Sequence, residues 1–167
     1  MAPPSDIRKR RFKLADKSRF IVLGLGRFGA TLARRLAADG HRVTGIDISE
    51  AAVRPLEEEL DEALVGDATD KEILEATDLG NADAVVIALG DEPLRNIIAA
   101  MHVVELGATR ILARGTDAVH ARILRKLGDI DVILPEQDMG AYVAEALSSP
   151  LPLSRQNEPS VDESRDK

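Results

Sequence analysis

The sequence predicts an α/β protein whose core is a doubly wound, parallel sheet of six strands. Runs of β-branched and aliphatic residues begin near residues 20, 42, 62, 84, 110 and 131. A spacing of roughly 20 to 26 residues is typical of strands that alternate with crossover helices. The runs at 20–23, 84–89 and 132–134 are apolar without alternation, as in parallel strands that are buried on both faces. We therefore expect helices on both sides of one sheet.

The ends of the first two helices are marked by glycine and proline. The first helix is predicted over about 27–39, because Gly40 suits the left-handed conformation that ends many helices. The second is predicted to begin after a cap at Ser49. Pro55 lies within its pattern, and proline removes a helical hydrogen bond, so we expect a kink or a restart there.

The next three helices carry N-terminal signals. A capping box at 69–72 predicts that the third helix begins at Asp70. Asp91 and Pro93 open the fourth, and Thr116 is predicted to cap the fifth. The predicted core-facing stripes are Leu94, Ile97, Ile98, Met101 and Glu105 on the fourth helix and Val119, Ile123, Leu124 and Leu127 on the fifth. A C-terminal crossover helix is expected after the sixth strand.

Composition divides the chain into three parts. Residues 1–18 are predicted to be a flexible basic arm, 19–148 a single folded domain, and 149–167 a disordered polar tail. The arm is a mobile terminus or a contact for anionic lipid or for an acidic partner. The net charge is −7, and the acidic body repels nucleic acid, so no nucleic-acid partner is expected.

Residue content excludes several classes of function. The chain has no Cys, which excludes disulfides, thiolate zinc sites, iron–sulfur clusters and Cys nucleophiles. Aromatic residues make up 2%, too few for stacking platforms that bind single-stranded nucleic acid. No apolar run approaches the ~20 residues of a membrane span. These features predict a cytoplasmic protein.

A glycine-rich loop is the most informative motif. Gly24, Gly26 and Gly29 have the G-x-G-x-x-G spacing, directly after the first strand and before the first helix. The first glycine permits a tight turn, the second lets a pyrophosphate approach the backbone, and the third lets helix and strand pack closely. The helix start then offers N–H groups and a positive dipole end to phosphate. The motif predicts a Rossmann-like dinucleotide or adenine-nucleotide site.

An acidic residue closes the second strand at the position that this site requires. Asp47 is expected to accept hydrogen bonds from the ribose hydroxyls and to repel a 2′-phosphate, which favours NAD(H), ATP or ADP over NADP. The alternative is a helix-capping Asp before Ser49. Arg27, inside the loop, is expected near the terminal phosphates or a neighbouring subunit's nucleotide; otherwise it is an exposed Arg early in a helix.

Three further strand ends complete the candidate crevice. Gly66-Asp67-Ala68-Thr69 follows the third strand and is expected to line the adenine pocket, or to serve only as a turn and a helix cap. Ala88-Leu89-Gly90 ends the fourth strand at the topological switch point, where ligands lie against strand ends. Arg114 ends the fifth strand and is expected to point towards the same crevice.

These motifs resemble those of the KTN/RCK (TrkA-N) domains, which regulate potassium channels and transporters, and within that family the cytosolic regulatory subunits of Ktr/Trk potassium uptake systems. The resemblance covers roughly 19–148. It is carried by Gly-Leu-Gly-Arg-Phe-Gly at 24–29, Gly-Asp-Ala-Thr at 66–69 and Pro-Glu-Gln-Asp-Met-Gly at 135–140. The last motif resembles the family's opening to its final crossover helix.

The resemblance implies a homodimer or a higher ring beneath a membrane-embedded potassium channel or transporter subunit, peripheral to the inner face of the plasma membrane. Bound ATP, ADP or NAD(H) would change the shape of this assembly and so control potassium transport. Arg27 would reach a γ-phosphate at the dimer interface, and Glu136 would help to hold a divalent cation, Mg or Ca, there. The alternative for Glu136 is a plain acid at a helix N-terminus after Pro135.

The candidate nucleotide-binding residues are Gly24, Leu25, Gly26, Arg27, Phe28, Gly29, Asp47, Ile48, Asp67, Ala68, Thr69, Ala88, Leu89, Gly90, Arg114 and Glu136. Family members also continue into a C-terminal ligand-binding domain of several dozen residues, and residues 149–167 are too few to supply one.

An enzyme is the main competing interpretation. A small NAD-dependent oxidoreductase, or its cofactor domain, needs a proton donor beside the nicotinamide. His41, His102 and His120 are the candidates, and none is predicted at the carboxyl end of a strand, so each is expected to be an ordinary surface or helix histidine. A DNA-binding repressor is a third option, but the residues before the first strand are too few for a helix-turn-helix domain. We predict a non-enzymatic regulatory module.

Overall fold

Six parallel strands form the single sheet of this protein, seen in a computed structural model that describes residues 17–90 and 92–148. The strands are β1 Arg19–Leu23, β2 Arg42–Asp47, β3 Glu62–Val65, β4 Ala84–Ile87, β5 Ile111–Arg114 and β6 Ile130–Ile133. Their order across the sheet is β3-β2-β1-β4-β5-β6. The order reverses between β1 and β4, which makes the carboxyl ends of these two strands the topological switch point. The predicted strand starts are confirmed.

Helices cover both faces of this sheet, as predicted. They are α1 Arg27–Ala38, α2 Glu50–Val53, α3 Lys71–Glu75, α4 Pro93–Glu105, α5 Ala118–Leu127 and α6 Pro135–Ser148. One apolar cluster packs α1 and α2 against the sheet, and a second packs α3, α4 and α5 against the opposite face. The predicted doubly wound, Rossmann-like class is confirmed.

The first two helices end where glycine and proline predicted. The last residue of α1 is Ala38, and Gly40 follows with φ +88°. The second helix stops at Val53 and continues only as a short 3₁₀ turn over Arg54–Leu56. Pro55 lies inside that turn, which explains the interruption because its ring and missing N–H do not fit a helix interior.

The predicted cap of α3 is wrong by one residue. Asp70, not Thr69, caps this helix, and its carboxylate accepts from the Glu72 amide at 3.0 Å. The Thr69 hydroxyl instead donates to the carboxylate of Asp67 at 2.7 Å. The hydroxyl is engaged within its own loop, so the following aspartate becomes the cap.

The predicted cap of α5 is also shifted by one residue. Asp117 caps the helix by accepting from the amides of Val119 and His120 at 2.8 and 2.9 Å, and the His120 amide is the main cause of its lowered pKa. Thr116 contacts the ring of His120. That histidine is only 3% exposed, and burial lowers its pKa, so it is a neutral core residue rather than a surface one.

The apolar stripes predicted for α4 and α5 do not all face the core. The side chains buried on α4 are Asn96, Ala99, Ala100 and Val103, and those on α5 are His120, Ala121 and Leu124. Leu94 is 67% exposed and Val119 58% exposed. The buried faces include the small residues Ala99 and Ala100 on α4 and Ala121 on α5, so a stripe of large aliphatic residues does not identify them.

The final helix is largely exposed. Along all of α6, Ala146 is the buried residue, whereas Met139, Val143 and Leu147 recur at four-residue spacing on the solvent side. These three residues form an uncovered apolar stripe. No helix in the described part of the chain has the length and the apolar character needed to span a membrane.

The predicted arm and tail fall largely outside the described residues, as does Asp91. Ser18, placed at the end of the arm by the sequence, is fully buried, and its amide faces the His41 ring at 3.4 Å.

Candidate nucleotide-binding site

The glycine loop has the geometry that its spacing predicts. Gly24 has φ +94°, and a Cβ there would lie 2.3 Å from the carbonyl oxygen of Ala88. At Gly29 a Cβ would lie 1.8 Å from the Gly24 carbonyl oxygen. Nothing lies within 4 Å of the corresponding position at Gly26. Gly24 and Gly29 therefore permit the turn and the close helix contact, and Gly26 leaves open space where the backbone meets a ligand.

The start of α1 is available to an anion. Gly26 is the N-cap residue and contributes no side-chain cap hydrogen bond. The first turn of α1 contains no acidic residue. N–H groups at a helix start have no partner within the helix, and together with the helix dipole they favour phosphate.

Asp47 joins the end of β2 to this loop. One of its carboxylate oxygens accepts from the Leu25 amide at 2.7 Å, and the other accepts from the Ser49 amide at 2.8 Å. Its own carbonyl accepts from Gly66 at 2.9 Å, which connects the same residue to the loop after β3. The alternative of a helix-capping Asp is wrong, because Ser49 is the N-cap residue of α2 and Asp47 accepts from the Ser49 amide, two residues on, which precedes the helix. Each carboxylate oxygen can accept more than one hydrogen bond, so a ribose can also be bound.

Asp67 lies in the loop that follows β3 and is held by three donors. Its Oδ1 accepts from the Thr69 amide at 2.9 Å, from the Thr69 hydroxyl and from Nη2 of Arg95 at 2.9 Å. The Thr69 amide is the main cause of the lowered pKa of this carboxyl, and Arg95 adds to it. Arg95 was not predicted as part of the site, because nothing in the sequence indicates that the start of α4 reaches the loop after β3.

The end of β4 is fixed by a second residue that the sequence did not indicate. Asn96 is fully buried, and its side-chain oxygen accepts from the Leu89 amide at 3.1 Å. Gly90 follows with φ +61°. An asparagine in a predicted helix carries no periodic signal, and only its burial reveals its role in shaping the switch-point loop.

Arg114 reaches the same loop from the end of β5, as predicted. Its Nη1 donates to the carbonyl of Gly90 at 2.9 Å, and its Nη2 donates to Oε1 of Glu136 at 2.6 Å. Glu136 lies in the first turn of α6. The switch point, β5 and α6 are therefore joined through one guanidinium group, and Glu136 lies against a positive charge.

Arg27 and Phe28 occupy the first turn of α1. Arg27 is exposed, and Phe28 packs against the core beneath the helix. A groove of about 360 Å³ runs between α1 and α2 beside the loop. It is lined by Leu25, Gly26, Arg27, Ala30, Thr31, Arg34, Ala51, Ala52, Pro55 and Leu56. The predicted site residues therefore surround one edge of the sheet, with Ile48 exposed after β2 and Ala68 buried after β3.

Two of the three histidines lie away from this edge, whereas His120 lies at it, in the first turn of α5, where its buried ring accepts from the Thr116 amide at 3.2 Å. His41 precedes β2, and His102 and His120 lie within α4 and α5. In the described residues there is no group of three or more His, Cys, Asp or Glu side chains that would hold a metal ion. The arrangement offers backbone amides, the carboxylate of Asp47 and guanidinium groups, which are groups that can bind a polar ligand.

A comparison with known families matches the TrkA-N domain model to residues 20–135. The chain belongs to the TrkA-N domain family. Among curated relatives, this TrkA-N chain is 34% identical over 135 residues to Ktr system potassium uptake protein A of Vibrio alginolyticus. It is 32% identical over 133 residues to Ktr system potassium uptake protein C of Bacillus subtilis (strain 168). The alignment with the Vibrio protein covers 81% of this chain and 61% of that protein. The alignment with the Bacillus protein covers 80% of this chain and 60% of that protein. The chain thus spans about 60% of their length.

Solved structures share the fold. The GsuK channel bound to NAD gives a TM-score of 0.67 at 23% identity, over 83% of this TrkA-N chain and 26% of that chain. GsuK bound to ADP gives a TM-score of 0.68 at 23% identity, over 80% of this chain and 36% of the GsuK chain. The TrkA-N domain of the inner membrane protein YbaL from Escherichia coli gives a TM-score of 0.70 at 20% identity, over 81% of this chain and 99% of the YbaL domain.

Proposed function

We propose that this TrkA-N chain is a nucleotide-binding regulatory subunit that controls a potassium channel or transporter. The observation that carries the proposal is the 2.7 Å hydrogen bond between Asp47 and the Leu25 amide. It places the carboxylate that suits a ribose beside the glycine loop that suits a pyrophosphate. ATP, ADP or NAD(H) is the proposed ligand, and the carboxylate disfavours the 2′-phosphate of NADP.

The relatives support the potassium part of the proposal. Two curated relatives are named as Ktr potassium uptake proteins, and a third, from Methanothermobacter thermautotrophicus, as a homolog of a Trk potassium uptake protein. GsuK, a channel, has been solved with NAD and with ADP. We extend both properties to this chain: a nucleotide at the carboxyl edge of the sheet and a membrane-embedded potassium-transporting partner at the inner face of the plasma membrane.

Assembly is part of the same proposal. The apolar stripe of Met139, Val143 and Leu147 on α6 fits a second copy of the chain, giving a homodimer or a higher ring. We propose that 19–148 is the regulatory domain. A divalent cation would need more than Glu136, whose carboxylate already faces Arg114. Glu136 would contribute to a magnesium or calcium site only together with nucleotide phosphates at a dimer interface.

An oxidoreductase remains the alternative function, because the same fold binds NAD(H). It requires a proton donor near the nicotinamide; His41 and His102 lie elsewhere, and His120, which is at this edge, is only 3% exposed. Turnover of NADH with a small substrate would favour that function over regulation.

Calorimetric titration of the chain with ATP, ADP, NADH and NADPH tests the binding function. We expect saturable binding of at least one of the first three and weaker binding of NADPH. Absence of binding by every adenine nucleotide would overturn the proposal. Co-purification with a potassium-transporting membrane subunit, compared with and without nucleotide, tests the regulatory part.

Replacing Arg27 with alanine is expected to weaken ATP binding more than ADP binding. Arg27 is an exposed cation in the first turn of α1, where a positive charge is otherwise unfavourable. A guanidinium–phosphate contact contributes about 1.5–3 kcal/mol, so the ATP affinity should fall by roughly 10- to 100-fold. Equal losses for ATP and ADP, measured by the same titration, would remove the γ-phosphate role.

A further inference from the structure

One ion pair links two loops whose strands are not neighbours in the sheet. Asp67 follows β3, and Arg95 lies in the first turn of α4, after β4. β2 and β1 separate these strands. The pair measures 2.9 Å, and the side chains of Arg95 and Asp67 are 28% and 35% exposed, so both charges are partly shielded from water. It therefore fixes the loop after β3 to the helix that begins at the switch point.

The base of a bound nucleotide would lie beside this pair. The pyrophosphate belongs at the glycine loop after β1, and the ribose belongs at Asp47, at the end of β2. β3 is the next strand beyond β2, and the Gly66 amide donates to the Asp47 carbonyl at 2.9 Å. Continuing in the same direction from phosphate to ribose, the base reaches the loop that contains Asp67.

The hydrogen bonds of Asp67 are unevenly divided between its two oxygens. Oδ1 accepts all three bonds, from the Thr69 amide, the Thr69 hydroxyl and Arg95. Among the described residues, no donor is directed to Oδ2. A fixed carboxylate with an acceptor to spare can take a hydrogen bond from an amino group and repels a carbonyl oxygen. Adenine carries an amino group at C6, where guanine carries a carbonyl, so the carboxylate favours adenine when the C6 position of the base faces Oδ2; the donors of guanine lie at N1 and C2 instead.

We propose that Arg95 is a positioning residue that sets the base preference of the nucleotide site by holding the carboxylate of Asp67 in place. This inference rests on the proposed nucleotide-binding function. Without Arg95, Asp67 keeps only the bonds to Thr69 within its own loop, and the carboxylate loses its ion pair with α4. The preference for adenine over guanine then narrows, because the carboxylate no longer has one fixed position.

Titration of the full chain with ATP and with GTP tests this role. For Arg95→Ala we expect the ratio of GTP to ATP dissociation constants to fall by about tenfold, the effect of losing one well-placed charged hydrogen bond. Arg95→Lys keeps the positive charge, so its ratio of dissociation constants should lie between that of Arg95→Ala and that of the wild type. Asp67→Asn should lower the ratio as well, and the double variant should lose less than the sum of the two single losses.

The matched control is Lys71→Ala. Lys71 forms a 2.9 Å ion pair with Glu105, so it also links α3 to α4, but it does not contact Asp67. The control should leave the ratio of GTP to ATP dissociation constants unchanged. If the wild-type chain binds ATP and Arg95→Ala keeps the wild-type ratio, the role of Arg95 is wrong and the proposed function stands. If the wild-type chain binds none of ATP, ADP, NADH and GTP, both are wrong.

Discussion

Replacing Gly29 with alanine is expected to lower the thermal unfolding midpoint by roughly 10 °C, from an overpacking cost of about 3 kcal/mol. The added Cβ would lie 1.8 Å from the carbonyl oxygen of Gly24 and 3.0 Å from its carbonyl carbon. Backbone atoms cannot move aside as a flexible side chain can. Either α1 shifts away from β1 or the turn at Gly24 opens, and both changes displace the amides that we propose bind phosphate. Nucleotide binding should fall together with stability.

Gly140→Ala provides the matched control for this substitution. Gly140 lies within α6, and nothing lies within 4 Å of its Cβ position. Alanine is favoured over glycine in a helix interior by about 1 kcal/mol, so this variant should be as stable as wild type or slightly more stable. Differential scanning calorimetry measures both. A Gly29→Ala variant with an unchanged midpoint would show that helix and loop are not packed as described.

Replacing Asp47 with alanine is expected to reduce adenine-nucleotide affinity by roughly 30-fold, which corresponds to about 2 kcal/mol. The change removes the carboxylate that would accept from the ribose. It also removes the acceptor of the Leu25 amide at 2.7 Å, so the glycine loop loses an anchor. NADPH should lose less than NADH, because the charge that repels a 2′-phosphate is gone. Isothermal titration with the two dinucleotides measures both effects.

Asp39→Ala is the control for loss of an acidic side chain. Asp39 caps the far end of α1 and pairs with Arg35 at 3.1 Å on an exposed surface. An exposed pair of this kind contributes little, so affinity should stay within about twofold of wild type. Equal effects of the two substitutions, or an unchanged preference for NADH over NADPH in Asp47→Ala, would exclude a ribose contact at Asp47.

The sheet could be predicted because its signal is local. Buried parallel strands are short apolar runs, and each run in this sequence ends at or just before a glycine, proline or aspartate. The glycine loop was predictable for the same reason, since Gly24 and Gly29 stand where a side chain would meet backbone atoms. In both cases the residues that determine the geometry are close together in sequence.

The helix faces and caps were less predictable because tertiary contacts decide them. The buried face of α4 is formed by Ala99 and Ala100, which a stripe of large aliphatic residues does not indicate. Thr69 has the right spacing for a cap, yet its hydroxyl is used by Asp67. When a side-chain hydroxyl has two possible hydrogen-bond partners, its actual partner can be identified only once the structure of the surrounding loop is known.

Two residues that shape the candidate site were not predicted at all. Arg95 and Asn96 are adjacent on α4, and each bonds to a loop at the carboxyl edge of the sheet. The loop that Arg95 meets follows β3, which is distant from α4 in sequence and not adjacent to β4 in the sheet. Only the order of the strands in the sheet brings Arg95 and this loop together. Long-range polar contacts of this kind leave no periodic pattern in a single sequence.

A crystal structure of the full chain with ATP, ADP or NADH tests the central claim most directly. The account predicts phosphates against the amides at the start of α1, beside Gly26, with the ribose hydroxyls bonded to Asp47. It also predicts the base beside the loop that contains Asp67. A nucleotide bound elsewhere on the chain, or a ribose that does not contact Asp47, would contradict it.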